Sequence, residues 1–316
     1  MPPTDTLPSV SVAIVSICSA EHLERCLASL DLQRAAPSFD VVVACDPHLS
    51  GMDELAARRP GVRIVSNIGQ RTPLELASRA LAEARGEFVL LTEDHCIPDP
   101  DWVATMLGAR ADGRAVVGGR VEIRAEASAL DWAFYFVDFF RYASPVRAGI
   151  SPTLTVCNAA YSKRQLAEIE SLWKGHFHET AINDALRRRF GALWLEPRSR
   201  VTMARHVTLG DALYERYAFG RLFGCTRLSF CSPPKRWFYC ATAPALPVLL
   251  LARMARKGLG SRALAPAFLR ALVPLTLLVV WWSWGEWLGY LTRANPSSLV
   301  VAPEIRAARR SAAQRA

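Results

Sequence analysis

Three consecutive side chains able to bind a divalent cation, Glu93, Asp94 and His95, stand where a strand-like apolar run over residues 87–92 ends. Carboxylate oxygens suit hard cations, and an imidazole nitrogen favours Mn²⁺ over Mg²⁺. In an extended segment side chains alternate, so Glu93 and His95 project to one side and Asp94 to the other. The chain then turns through Cys96, Ile97, Pro98 and Pro100, with Asp99, Asp101 and Trp102 read as structural residues closing the loop. The competing reading is an ion-free polar turn. Ligands bind at the edge of an α/β sheet where its strands run out, which favours the chemical reading.

Delivering these side chains to a sheet edge takes alternating strands and helices, and the pattern is present. β-rich runs cover residues 10–17, 41–44, 62–65 and 88–92. Between them lie Leu23, Cys26, Leu27 and Leu30 at helical spacing, a helical stretch over 52–59, and an Ala/Leu-rich helix over 73–85 closed by Gly86. The alternation predicts parallel crossovers and an open, Rossmann-like, mostly parallel sheet with flanking helices. No GxGxxG follows the first strand, which argues against a hydride-transfer enzyme.

Beyond residue 115 the pattern changes. Residues 116–123 read as a strand in which Gly118-Gly119 marks a bulge, a close backbone approach or a sugar-facing surface. The aromatic stretch from Trp132 to Tyr142 reads as core packing or as an acceptor platform. A short strand over 155–161 contains Asn158, His178 and Glu179 precede a helix over 181–190 closed by Gly191, and a strand over 193–197 leads to Arg205-His206.

The chain has 316 residues, enough for one large α/β domain and an appendage. Its eight cysteines are scattered with no CxxC pair, which points to a reduced, cytosol-facing protein rather than a disulfide framework or zinc site. The start of the chain is short and polar, without a signal pattern. The net charge of +9 divides into −3 over residues 1–200 (22 Lys/Arg, 25 Asp/Glu) and +12 over 201–316 (16 and 4). That basic charge brackets apolar segments, which suits anionic membrane lipid rather than nucleic acid.

The segment Ala84-Arg85-Gly86-Glu87-Phe88-Val89-Leu90-Leu91, the motif at 93–95 and its sequel to Trp102 resemble a family-2 glycosyltransferase of the GT-A fold. The opening strand and helix over 12–30 and the acidic helix start at Glu179 extend the resemblance across residues 10–210. The resemblance implies a nucleotide-sugar donor, a divalent cation (Mn²⁺ or Mg²⁺) and an inverting transfer. It places Asp46 on the nucleobase or ribose, Glu93 and Asp94 on the donor, Asp94, His95 and His206 on the metal or diphosphate, and Glu179 as general base; Asn158 reads either as a donor-sugar contact or as simple backbone geometry. As residues, Glu179 also reads as a helix cap and His178 as structural. Three departures stand out: Cys45 replaces one of an acidic pair, Glu-Asp-His replaces Asp-x-Asp, and Thr180 replaces a second acid.

Residues 237–252 and 271–285 are uncharged runs of 16 and 15 residues, interrupted by Pro244, Pro247 and Pro274. A spanning helix needs ~20 apolar residues. Arg253, Arg256, Lys257, Arg262 and Arg270 lie between the runs, and such charge stays on the cytoplasmic side. The expectation is a hairpin dipping into one leaflet, rimmed by Trp281, Trp282, Trp284 and Trp287, with a two-pass anchor and packing onto the protein or a dimer as alternatives. The expected organisation is a GT-A domain over 1–210, a basic connecting helix over 211–236, a membrane-associated hairpin over 237–292 and a basic tail over 293–316. The expected function is a glycosyltransferase on the cytoplasmic face of the cell (inner) membrane, acting on a lipid-linked or cell-envelope glycan acceptor. The alternatives are a catalytically silent scaffold of this fold and a nucleotidyltransferase of similar fold.

Overall fold

The computed structural model describes residues 10–66, 72–111 and 113–294. They form two compact units. One comprises the chain up to Glu122 with Val146–Thr202; the other comprises Ile123–Pro145 with the chain from Met203 onward.

In the first unit, β1 (Val10–Ser16), α1 (Ala20–Asp31), β2 (Phe39–Cys45), α2 (Met52–Arg58), β3 (Val62–Ser66), α3 (Pro73–Glu83) and β4 (Phe88–Glu93) alternate as expected. β1 pairs in parallel with both β2 and β4, and β2 with β3. All seven residues of β1 are buried, the pattern of a central parallel strand covered on both faces. Helix starts are set locally: Ser19 caps α1, and Thr72 with Glu75 forms a capping box at α3, with Pro73 in its first turn. Side chains also satisfy backbone groups at element ends. Ser11 Oγ accepts from the Arg85 and Gly86 amides, and Lys163 Nζ donates to Leu81 O and Ala84 O at the end of α3.

The chain continues through β5 (Cys96–Pro98), α4 (Trp102–Gly108) and β6 (Arg114–Ile123) to α5 (Ala129–Phe139) in the second unit. It returns as β7 (Gly149–Ile150), β8 (Ala159–Ser162), α6 (Lys163–Ala167), α7 (Glu170–Trp173), α8 (Glu179–Phe190) and β9 (Ala192–Met203). The sheet order is β3-β2-β1-β4-β8-β6-β9-β5, with β7 beside β9. The second half is not parallel, since β8 is antiparallel to β4 and β6. The expected strand at 155–161 is split. Val156–Asn158 forms a 3₁₀ turn before β8 begins.

The Gly118-Gly119 pair is a close approach. A Cβ on Gly118 would strike Leu154, and one on Gly119 would strike Ser199 O and the Asn158 amide.

The second unit contains α5, α9 (Leu209–Arg227), α10 (Pro233–Thr242), α11 (Leu246–Leu259) and α12 (Ala265–Thr292). α9 and α12 run parallel and touch through small residues. Gly220 and Gly224 sit on Trp282 and Glu286, while Gly285 and Gly289 sit on Tyr217 and Arg221. The aromatic stretch serves as core: Phe134, Tyr135, Phe136 and Phe139 are buried, and Phe136 meets Phe268 edge-on at 5.5 Å. Residues 123–145 therefore belong with the C-terminal helices, not with a continuous domain over 1–210. The first uncharged run is divided between α10 and α11 by a 3₁₀ turn over Ala243–Ala245, whereas the second lies within one longer helix. α12 continues through Pro274 for 28 residues, about 42 Å. The basic tail from residue 295 lies outside the described residues.

Candidate active site

The order β3-β2-β1-β4 reverses direction between β1 and β4, and the C-terminal ends of two adjacent parallel strands diverge there. Such switch points are where open α/β sheets bind ligands. Glu93 ends β4 opposite Val15, and Asp94 N–H donates to Val15 O at 3.0 Å.

Asp94 is fully buried and ties the two strand ends together. Its Oδ2 accepts from Ser16 Oγ (2.9 Å), Ile17 N (3.0 Å) and Cys18 N (2.8 Å). Its Oδ1 is buried and makes no hydrogen bond. An unsatisfied buried acceptor costs about 1–3 kcal/mol, more when charged. What faces that oxygen is His95, whose Nδ1 lies 3.6 Å from Asp94 Oδ1, 3.5 Å from Glu93 Oε2 and 3.9 Å from Cys18 Sγ. Contrary to the alternation expected of an extended segment, Glu93, Asp94 and His95 draw together, because β4 ends at Glu93 and the chain turns at residues 94–95.

The electrostatics follow from this crowding. Burial works to raise the Asp94 pKa, but His95 beside it and the hydrogen bonds from Cys18 and Ser16 outweigh burial and hold it below the usual value. Burial works to lower the His95 pKa, but the Cys96 charge, the Asp94 carboxylate 3.6 Å away and the Cys18 thiol hold it well above the usual value. The Cys96 thiol is drawn down to about 6, first by its hydrogen bond with Cys157. All eight cysteines are free thiols. A divalent cation suits this group chemically, because it would satisfy the orphaned Asp94 oxygen and offset the paired carboxylates. Cys18 carried no special signal in the sequence beyond its place just after the first strand.

Glu179 begins α8, where the helix N-terminus favours a carboxylate. Its Oε2 accepts from Val156 N at 3.0 Å, and the next residue, Cys157, offers its carbonyl to Thr92 Oγ1 at 2.9 Å. Two hydrogen bonds through the 3₁₀ turn therefore connect Glu179 to the strand that carries Glu93. Asp46 lies at the same sheet edge, immediately after β2. It is buried, and its Oδ1 accepts from His48 N at 2.9 Å to close the turn.

Two expected site residues are employed elsewhere. Asn158 is fully buried. Its Oδ1 accepts from Trp102 Nε1 at 2.8 Å, and its Nδ2 donates to Arg120 O at 2.8 Å and Ser199 O at 3.3 Å. Those bonds consume its amide, so a donor-sugar contact does not fit this geometry. His206 belongs to the second unit, where it lies against the Arg124 guanidinium and 3.3 Å from Asp131 Oδ2. His178 is buried at the helix start.

Residues 11–169 match the sequence profile described as Glycosyl transferase family 2. No curated protein sequence matches the chain. Among solved structures, the chain resembles the mannosyltransferase PcManGT from Pyrobaculum calidifontis in complex with GDP-Man and Mn²⁺, at 19% identity, covering 92% of this chain and 86% of that one, with a TM-score of 0.53. It also resembles a mycobacterial protein at 17% identity, covering 71% of this chain and 75% of that one, with a TM-score of 0.50. At these identities the likeness speaks for the fold, a mixed GT-A sheet flanked by helices.

Proposed function

The chain belongs to glycosyl transferase family 2, and on that premise we propose that it moves a sugar from a nucleotide-sugar donor to a lipid-linked or cell-envelope glycan acceptor, with inversion, at the cytoplasmic face of the cell membrane. The observation that carries the reading is the convergence of Asp46, Glu93, Asp94 and His95 on one sheet edge, with Glu179 tied to the same strand through Val156 and Cys157. β2 and β4 flank β1, so Asp46 and Glu93 are two strand spacings apart, about 10 Å. A nucleoside diphosphate can span that gap, with its nucleoside toward Asp46 and its diphosphate toward Glu93 and His95.

Glu93, Asp94 and His95 would hold a divalent cation. When bound, such a cation neutralises charge on the diphosphate leaving group. The acceptor hydroxyl oxygen attacks the anomeric carbon, its proton passes to Glu179, and the bond from that carbon to the diphosphate oxygen breaks on the opposite face. The Val156 amide orients the Glu179 carboxylate for this step.

The membrane part of the proposal draws on α12. Leu269, Leu272, Val273, Trp281, Trp284 and Leu291 are exposed along one side of it. Its other side is occupied: Glu286 accepts from Trp282 Nε1 at 2.8 Å and from Tyr290 OH at 2.5 Å, and Arg227 of α9 reaches Tyr290 at 3.1 Å. Two helical stretches, Pro233–Leu259 and Ala265–Thr292, are long and apolar enough to cross a bilayer. Yet a spanning α12 would draw α9 into hydrocarbon with Glu215, Arg216, Arg221 and Arg227, at about 2.5–3.5 kcal/mol for each charge near the centre. In-plane insertion of the exposed face, with the 253–270 arginines and lysine on anionic lipid, avoids that cost.

A thermal-shift screen of nucleoside-diphosphate sugars with and without Mn²⁺ tests the reading. Stabilisation by a donor that needs the cation, followed by sugar transfer to a lipid-linked acceptor, is the expected result. No response to any donor would favour the silent-scaffold alternative, for which the Glu-Asp-His motif and Thr180 speak.

A further inference from the structure

The loop after β1 places a thiol among the groups assigned above to the cation. Cys18 N–H donates to Asp94 Oδ2 at 2.8 Å, which pins the Cys18 backbone against the end of β4. Its Sγ then lies 3.9 Å from His95 Nδ1. The donor atoms of Cys18, Asp94 and His95 are all buried and lie within 4.8 Å of one another. Metal–nitrogen, –oxygen and –sulfur bonds of 2.0–2.3 Å at tetrahedral angles separate neighbouring donors by roughly 3.3–3.8 Å. The distances from His95 Nδ1 to Glu93 Oε2 (3.5 Å), Asp94 Oδ1 (3.6 Å) and Cys18 Sγ (3.9 Å) are close to that spacing before any cation draws them in.

A second observation points the same way. Asp94 Oδ1 is the oxygen turned toward this group, and it is buried without a hydrogen bond, although Oδ2 of the same carboxylate holds three.

We propose that Cys18 is a cation ligand together with Asp94 and His95, and that the site therefore takes a thiophilic divalent cation of the Zn²⁺, Co²⁺ or Cd²⁺ class in preference to Mg²⁺. A carboxylate-only set would suit hard cations, whereas thiolate and imidazole shift preference toward the zinc group. The inference rests on the location of the cation site in the functional reading, but not on sugar transfer. His95 also approaches Cys96 and Cys157 within the same 4.8 Å limit, a rival thiol pair at the same imidazole. The Cys18 group is preferred because it alone contains the orphaned oxygen.

The test uses the full-length protein in detergent, stripped of metal and titrated with Co²⁺. The expected result is a thiolate-to-cobalt charge-transfer band that one equivalent of Zn²⁺ abolishes and excess Mg²⁺ leaves in place. Cys18→Ser loses the band and binds Co²⁺ ~10-fold more weakly or worse, whereas Cys96→Ser and Cys157→Ser retain it. X-ray absorption at the zinc edge of the unaltered protein gives a reading that needs no variant: one sulfur neighbour at ~2.3 Å beside nitrogen and oxygen is expected. Two sulfur neighbours, a band that survives in Cys18→Ser, or Co²⁺ binding without any charge-transfer band would each overturn the proposal. None of these signals involves a sugar donor. A cobalt spectrum without donor binding would leave this inference standing and sink the transferase reading, and the reverse result would do the opposite.

Discussion

The Cys18 amide and the Asp94 carboxylate are joined by a 2.8 Å hydrogen bond that spans 76 residues of sequence. With the parallel bonds from Ser16 and Ile17, it makes Asp94 the fastener between the loop after β1 and the end of β4. The residue that faces the proposed cation is thus also one that the fold depends on.

Asp94→Ala should consequently do more than weaken cation binding. Three buried donors lose their acceptor, at about 1 kcal/mol each, so the variant should be destabilised by roughly 3 kcal/mol. Asp94→Asn keeps an acceptor oxygen for those donors and should recover most of the stability while still failing to show Mn²⁺-dependent donor binding. Thermal denaturation with and without cation separates the two effects. Equal stability of Asp94→Ala and the parent would refute the fastening role.

Glu179→Gln retains an oxygen for the Val156 amide and removes the basic carboxylate. Turnover should fall by ~10²-fold or more, with donor affinity nearly unchanged. If donor affinity collapses while bound substrate still turns over, Glu179 is a binding residue instead.

Asn158 should behave as a core residue. Asn158→Ala leaves the Trp102 indole N–H without its acceptor and the Arg120 and Ser199 carbonyls without their donor, a loss of about 2–4 kcal/mol. Gly119→Ala, which drives a methyl group into the same amide, should cost about 1–3 kcal/mol. Both should show a lowered melting temperature with unaltered donor affinity in the folded protein. A selective affinity loss at full stability would restore Asn158 to the donor site.

In the second unit, Asp131 carries a pH dependence. Burial favours its neutral form, but hydrogen bonds from Ser128 and the Val207 amide, and the Arg124 charge, hold its pKa below the usual value. Folded-state depression means the stabilisation is present above the unfolded pKa, about 3.9, and is lost as pH falls through the lower folded value. Asp131→Asn should therefore lower stability at neutral pH and flatten the acid limb of a melting-temperature profile between about pH 5 and 2. An unchanged acid limb would show that other carboxylates govern it.

The exposed face of α12 should govern vesicle binding. Val273→Glu with Trp284→Glu should release the full-length protein from anionic vesicles at high salt, where the unaltered protein stays bound through its apolar contact. Labelling of cysteines introduced singly over residues 253–262 reads the topology: reaction only from the cytoplasmic side fits in-plane insertion, and reaction only from the far side requires spanning.

Local chemistry in the sequence already determined the four parallel strands, the helices between them and the acidic motif at a strand end. Each of these rests on short-range periodicity and on capping residues such as Thr72 with Glu75, which act over a few positions. Tertiary structure alone decided which groups meet. Nothing near Cys18 announces His95, nothing near Gly119 announces the Asn158 amide, and the aromatic run from Trp132 gives no sign that it packs with a helix beginning at Ala265. The antiparallel turn of β8 was equally hidden, because a strand's residues encode which faces are buried and not which direction its neighbours run. Burial on both sides of α12 looks alike in composition, yet one side is held by α9 through backbone contacts at glycine and the other is left exposed. That distinction depends on a partner helix whose own sequence is charged, and only packing reveals it.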